Sequence, residues 1–175
     1  LPPANTKVKL FEPNGRDVLG ITSVDPDGSF YLGPLPQGLY VVKAVPPAAS
    51  GLTQSEPHAV SVLGSVIDVG TLTLTAPEIF GTVTAPDGLT PTGGTVKVHA
   101  ANGLLVQSVP ATGGEFLVGG LPAGSYGLQA WPTTDHPFWR SPYQAVTVNG
   151  TTQTLTLTLR AADVWGVVTD PLGNP

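Results

Sequence analysis

"GSFYLGPLPQGLY" at residues 28–40 aligns without a gap to "GEFLVGGLPAGSY" at residues 114–126. Gly28, Phe30, Gly33, Leu35, Pro36, Gly38 and Tyr40 fall on Gly114, Phe116, Gly119, Leu121, Pro122, Gly124 and Tyr126. Outward from this stretch the match continues. "KVKLFEPNG" (7–15) pairs with "VKVHAANG" (96–103) through a Val-Lys-aliphatic core and an Asn-Gly turn, and "TLTLT" stands at 71–75 and again at 154–158. Self-similarity at a fixed spacing marks a repeated structural unit, here of about 85 residues.

Each unit reads as short alternating runs rich in Val, Leu and Thr, broken by Gly and Pro, with no stretch of helical period. The pattern predicts strands near 7–11, 17–24, 29–33, 39–45, 58–63 and 66–75 in the first unit. In the second it predicts strands near 79–84, 94–100, 103–109, 115–118, 125–131, 143–148 and 153–160. So many short strands at close spacing imply an all-β chain of tandem β-sandwiches. Asn14-Gly15 and Asn102-Gly103 supply the positive-φ positions of tight hairpins. Alternation places Val8, Leu10, Val96 and Val98 inward and Lys7, Lys9 and Lys97 outward, with Phe30, Tyr40, Phe116 and Tyr126 as core anchors.

The second unit opens with "IFGTVTAPDG" (79–88), for which the first unit shows no counterpart. The counterpart stands at 164–173, "VWGVVTDPLG", where Gly166, Val168, Thr169, Pro171 and Gly173 match Gly81, Val83, Thr84, Pro86 and Gly88. The expected organisation is therefore a sandwich over 1–77 lacking its first strand, a complete sandwich over 78–162, and over 163–175 the first strand and turn of the next repeat. The assembly strand is Val164, Trp165, Gly166, Val167, Val168 and Thr169, with Val164, Gly166 and Val168 facing inward and Trp165 outward, as Phe80 does. Two routes give the same completed sandwich: a continuous tandem-repeat polypeptide, or strand exchange between separate subunits.

Composition removes several function classes. Seven Lys plus Arg against twelve Asp plus Glu give a net charge of −5, which argues against a nucleic-acid surface. No apolar run reaches the length of a membrane span. There is no cysteine, so disulfides and thiolate chemistry are out. Low Lys, abundant Thr and the absence of oxidisable sulfur fit an extracellular or cell-surface protein. Asn149-Gly150-Thr151 is a lone glycosylation sequon.

The stretch "G-x-F-x-x-x-x-L-P-x-G-x-Y", followed by "VKAVPP" (42–47) or "LQAWP" (128–132), resembles the carboxypeptidase regulatory-like, or prealbumin-like (transthyretin-like), β-sandwich family; so does the opening "G-x-V-T-x-P-x-G". The resemblance implies two Ig-like, prealbumin-like sandwiches and a role as stalk, spacer, adhesin or accessory module of a secreted bacterial or archaeal surface protein. Related collagen-adhesin B-type domains carry a Lys–Asn isopeptide bond. Lys9 and Lys97 fall on the outward face by alternation, so that bond is not carried over.

Candidate chemistry is sparse. Asp25-Pro26-Asp27-Gly28 has the composition of a calcium loop, but its counterpart in the second unit has no Asp, and a turn needs the same residues. His58, His99 and His136 have no metal-ligand spacing, and no Ser/His/Asp set is shared by the units. The expectation is no catalytic, cofactor or metal site. The segment "WPTTDHPFWRSPYQ" (131–144) is the richest in aromatics: Trp131, Phe138, Trp139, Arg140 and Tyr143 are candidates for an interface or ligand loop. Covering an open end of the sandwich is the alternative. The reading of the whole is a structural module of an extracellular filament, stalk or surface fibre whose partners are other copies of itself. A carbohydrate- or surface-binding accessory module, with glycan or cell-surface contact, is the rival.

Overall fold

In the computed structural model the described residues are 1–47, 50–133, 137–164, 166, 168 and 170–172. Runs of β-branched and aliphatic residues form thirteen strands and no α-helix among them. The first four are β1 (Lys7–Phe11), β2 (Val18–Ser23), β3 (Gly38–Val45) and β4 (His58–Val62). They make one antiparallel sheet in the order β2-β1-β3-β4. The β1–β2 hairpin turns through Gly15 at φ 71°, as the Asn-Gly pair predicts.

The remaining strands are β5 (Ile79–Thr84), β6 (Gly94–Ala100), β7 (Leu105–Ala111), β8 (Glu115–Val118), β9 (Gly124–Pro132), β10 (Phe138–Trp139), β11 (Gln144–Val148), β12 (Gln153–Thr158) and β13 (Arg160–Ala161). A four-stranded sheet, β11-β9-β6-β7, faces a three-stranded one, β12-β5-β8, and β10 pairs with β13. The inward residues of both sheets merge into one core that includes Ile79, Val83, Val96, Phe116, Leu128 and Leu157. This is a β-sandwich, held by the apolar area its two inner faces remove from water. The predicted alternation holds: Val8, Leu10, Val96 and Val98 are buried, at 0 to 2% exposure.

Two predicted strands are absent. Residues 29–33 and 66–75 carry the strand pattern, yet neither forms a ladder; only Thr75 makes an isolated bridge, to Thr53. Their counterparts explain why. β8 and β12 do not pair with each other. Both pair with β5, which lies between them, antiparallel to β8 and parallel to β12. A pleated segment with no neighbour cannot satisfy its backbone groups by a ladder. Among the described residues no strand pairs with both 29–33 and 71–75 as β5 pairs with both β8 and β12.

Candidate functional site

The two units differ in side-chain burial as well as in strand pairing. Phe116, Val118 and Leu157, which flank β5, are exposed by 1%, 0% and 2%. Their sequence counterparts Phe30, Leu32 and Leu74 pack on the small core of Val8, Leu10, Val42 and Ala44, but only in part, and Leu72 does the same. Phe30, Leu32, Leu72 and Leu74 are thus partly buried, and no described strand forms a ladder with the segments that carry them.

β5 shows what such a strand must look like. Ile79 and Val83 are fully buried, Phe80 points out at 36% exposure, and Gly81 runs between Phe116 and Leu155. The candidate assembly segment repeats that order. Val164 and Val168 are 89% and 90% exposed and Gly166 has no heavy atom near its Cα face. The segment therefore offers two aliphatic side chains to water with nothing covering them. Trp165, Val167 and Thr169 lie outside the described residues, as does His136.

The aromatic loop is divided rather than gathered. Phe138 packs against the core of the facing sheets. Trp131 is half-buried: its indole Nε1 donates to Gln129 Oε1 at 3.1 Å, and the Lys97 ammonium lies 3.6 Å from its ring centroid. Arg140 sits between Trp131 and Trp139, 5.2 and 5.4 Å from their centroids. Tyr143 stands edge-on to His99 at 5.4 Å, leaning over Gly127. Only Trp139 and Tyr143 keep broad exposure, at 56% and 60%. Cation–π contacts thus engage Trp131 twice and Trp139 once.

What holds that loop down is a serine that the sequence comparison passes over. Ser141 N–H donates to Ala130 O, and Ser141 Oγ accepts from Ala130 N–H at 2.9 Å while donating to Pro142 O. Ser55 does the same to Ala44 and Glu56. Both serines are 2% exposed. The surrounding segments, "TQSEP" and "WRSPY", share little else, so spacing from the aligned motif was the only signal available. A second repeated device is the tyrosine hydroxyl that closes each "LPxGxY" turn: Tyr40 donates to Pro36 O and Tyr126 to Pro122 O, at 2.9 and 2.7 Å.

Two ionisable groups, Lys43 buried and Glu78 half-buried, were also unmarked by the sequence. Lys43 alternates outward on β3, yet it is 5% exposed, with its ammonium 5.0 Å from the Phe11 ring and burial lowering its pKa. Glu78 lies before β5 beside Thr53 and Gly119. Burial raises its pKa, and hydrogen bonds from the backbone of Leu121 and Gly120 oppose the rise. Lys43 lines a cleft of about 830 Å³ with Lys9, Arg16, Phe11, Phe80 and Glu115. No histidine lines it. Among the described residues no three His, Asp or Glu converge as metal ligands. No helix of the described residues is long and apolar enough to cross a membrane.

A scan against protein-family models and a search of the curated proteins gave no match. Solved structures give loose likenesses. The shaft pilin SpaA from Lactobacillus rhamnosus GG is 8% identical, over 93% of this chain and 89% of that one, with a TM-score of 0.43. The Bacillus anthracis TIE protein is 15% identical over 91% of this chain and 31% of that one, at a TM-score of 0.38. The C-terminal fragment of the pilus adhesin SpaC from Lactobacillus rhamnosus GG is 12% identical over 94% and 90%, at a TM-score of 0.26.

Proposed function

We propose that this chain is a structural, non-enzymatic module of an extracellular filament, stalk or surface fibre, in which residues 164–169 of one unit complete the open sandwich over 1–77 of a neighbouring unit. The observation that carries this reading is the difference between equivalent positions. Phe116, Val118 and Leu157 are buried beside β5, whereas Phe30, Leu32 and Leu74 are only partly buried and no described strand forms a ladder with their segments. The donor is argued from sequence: "VWGVVT" (164–169) follows the pattern of "IFGTVT" (79–84), which is β5 itself.

The energetics favour the exchange. Burying a valine side chain contributes about 1.5 to 3 kcal/mol, and Val164 and Val168 are both nearly fully exposed. Backbone bonds on two sides add to this, since each otherwise unladdered bank gains a partner. The contact is head-to-tail, so repetition extends an open fibre unless the rotation closes a ring. The same surface serves whether the native units are separate subunits or parts of one polypeptide, because a 175-residue unit carries both segment and groove.

The domain reading follows the same logic: 1–77 as acceptor, 78–162 as complete sandwich, 163–175 as donor. A carbohydrate-binding role has less to stand on, because Trp131 is engaged by Lys97 and Tyr143 rests on His99. The purified 175-residue chain, followed by sedimentation velocity and negative-stain electron microscopy, tests the proposal. Linear, concentration-dependent oligomers are expected, and Val168→Asp is expected to abolish them. A wild-type chain that stays monomeric at millimolar concentration, or a Val168→Asp chain that assembles normally, refutes it.

A further inference from the structure

The central strand of the complete sandwich contains one residue without a side chain, and its neighbours show why. A Cβ placed on Gly81 would come within 2.6 Å of Leu155 O and of Phe116 Cε1, with Cζ of the same ring closer still. Gly81 is at a β-strand position with ordinary backbone angles, so the requirement is steric rather than conformational. The Phe116 ring, 1% exposed, uses the missing side chain as its packing space. Phe116 and Leu155 flank Gly81 directly in the two ladders.

Each party has a counterpart at the open groove. Phe30 is the equivalent of Phe116, Leu72 of Leu155, and Gly166 of Gly81. Phe30 and Leu72 are both half-buried on the same small core. We infer that Phe30 makes the groove selective for a strand carrying glycine at the position between Phe30 and Leu72, so that Gly166 sets both partner choice and register. This rests on the proposed strand donation. It adds a rule that donation alone does not contain: an apolar strand of the right alternation but without the glycine is rejected.

The register consequence is direct. With Gly166 over Phe30, Val168 falls beside Leu74 and Val164 beside Leu32, as Val83 falls beside Leu157 and Ile79 beside Val118. A slip of one residue would put the Cβ of Trp165 or of Val167 against the Phe30 ring and turn Val164 and Val168 outward. A slip of two would restore the facing but still set Val164 or Val168 on the ring. Phe30 therefore rejects both slips by steric overlap.

The test uses full-length chains with Gly166→Ala and Gly166→Val, compared with wild type and with Val168→Asp, by sedimentation velocity over a concentration series. Gly166 has nothing within 4 Å, so neither glycine variant is expected to shift the thermal midpoint of the dilute chain. Gly166→Val is expected to raise the concentration at half-assembly at least about tenfold, with Gly166→Ala between it and wild type. If Gly166→Val assembles like wild type while Val168→Asp does not, the glycine rule is overturned and strand donation stands. If wild type does not assemble at all, both are overturned.

Discussion

Truncating the same phenylalanine in the two repeats should give two different costs. Phe116 is 1% exposed and enclosed between the facing sheets, so Phe116→Ala removes a fully buried ring and leaves a closed cavity. Such a change costs about 3 to 5 kcal/mol. Phe30 packs on the small core of Val8, Leu10, Val42 and Ala44 and is only partly buried. Less apolar area is therefore lost there, and no sealed cavity forms. About 1 to 2 kcal/mol is expected for Phe30→Ala in the dilute, unassembled chain. The gap of about 2 kcal/mol corresponds to roughly 8 to 16 °C in the midpoint of a domain of this size. Guanidinium denaturation resolves the two. Trp131 and Trp139 stand in the complete sandwich and Trp165 in the donor segment, so in a Trp165→Phe background indole fluorescence follows the complete sandwich. Far-UV circular dichroism follows both, with the remainder assigned to residues 1–77. On assembly the Phe30→Ala cost should climb toward that of Phe116→Ala, because the incoming strand closes the pocket. Equal costs in the dilute chain would refute the reasoning, since they would mean that Phe30 is already enclosed and no strand position is open.

The remaining expectations concern groups that the structure buries. Ser141→Ala removes the acceptor of a buried Ala130 N–H, and should cost about 1 to 3 kcal/mol by fluorescence-detected denaturation. Ser55→Ala should act likewise on residues 1–77, through Ala44. The Glu78 carboxyl is held above its ordinary pKa chiefly by burial, so the folded state binds its proton more tightly than the unfolded state does. Stability is then lost as pH rises from the unfolded value through the folded one. Glu78→Gln should raise the thermal midpoint at pH 7, and the difference from wild type should vanish below about pH 4, where both side chains are neutral. A variant that is stabilised equally at both pH values would refute this assignment.

Much of the fold is legible in the residues themselves. The repeated "GxFxxxxLPxGxY" stretch, the Asn-Gly hairpins and the two-residue alternation locate seven strands of the second unit within one or two residues, though not the short β10–β13 pair, and four of the first unit's six strands. These are local signals, and local physics suffices to read them: alternation sets which face is apolar, and glycine marks where φ is positive. Residues 29–33 and 66–75 carry equally good strand patterns and form no ladder, because a strand also needs a neighbour, which local pattern does not encode. Alternation likewise sets Lys43 outward, and only the packing of Phe11 and the segments around it makes that outward face an interior one. The aromatic loop looks like a single binding platform in sequence. Tertiary contacts divide it, giving Phe138 to the core, Trp131 to Lys97 and Tyr143 to His99. The sequence alone therefore determined the repeat, the strand pattern and the likeness of 164–169 to 79–84. The tertiary structure alone decided which of those strands has a partner, because hydrogen-bonded pairing and burial are properties of neighbours in space.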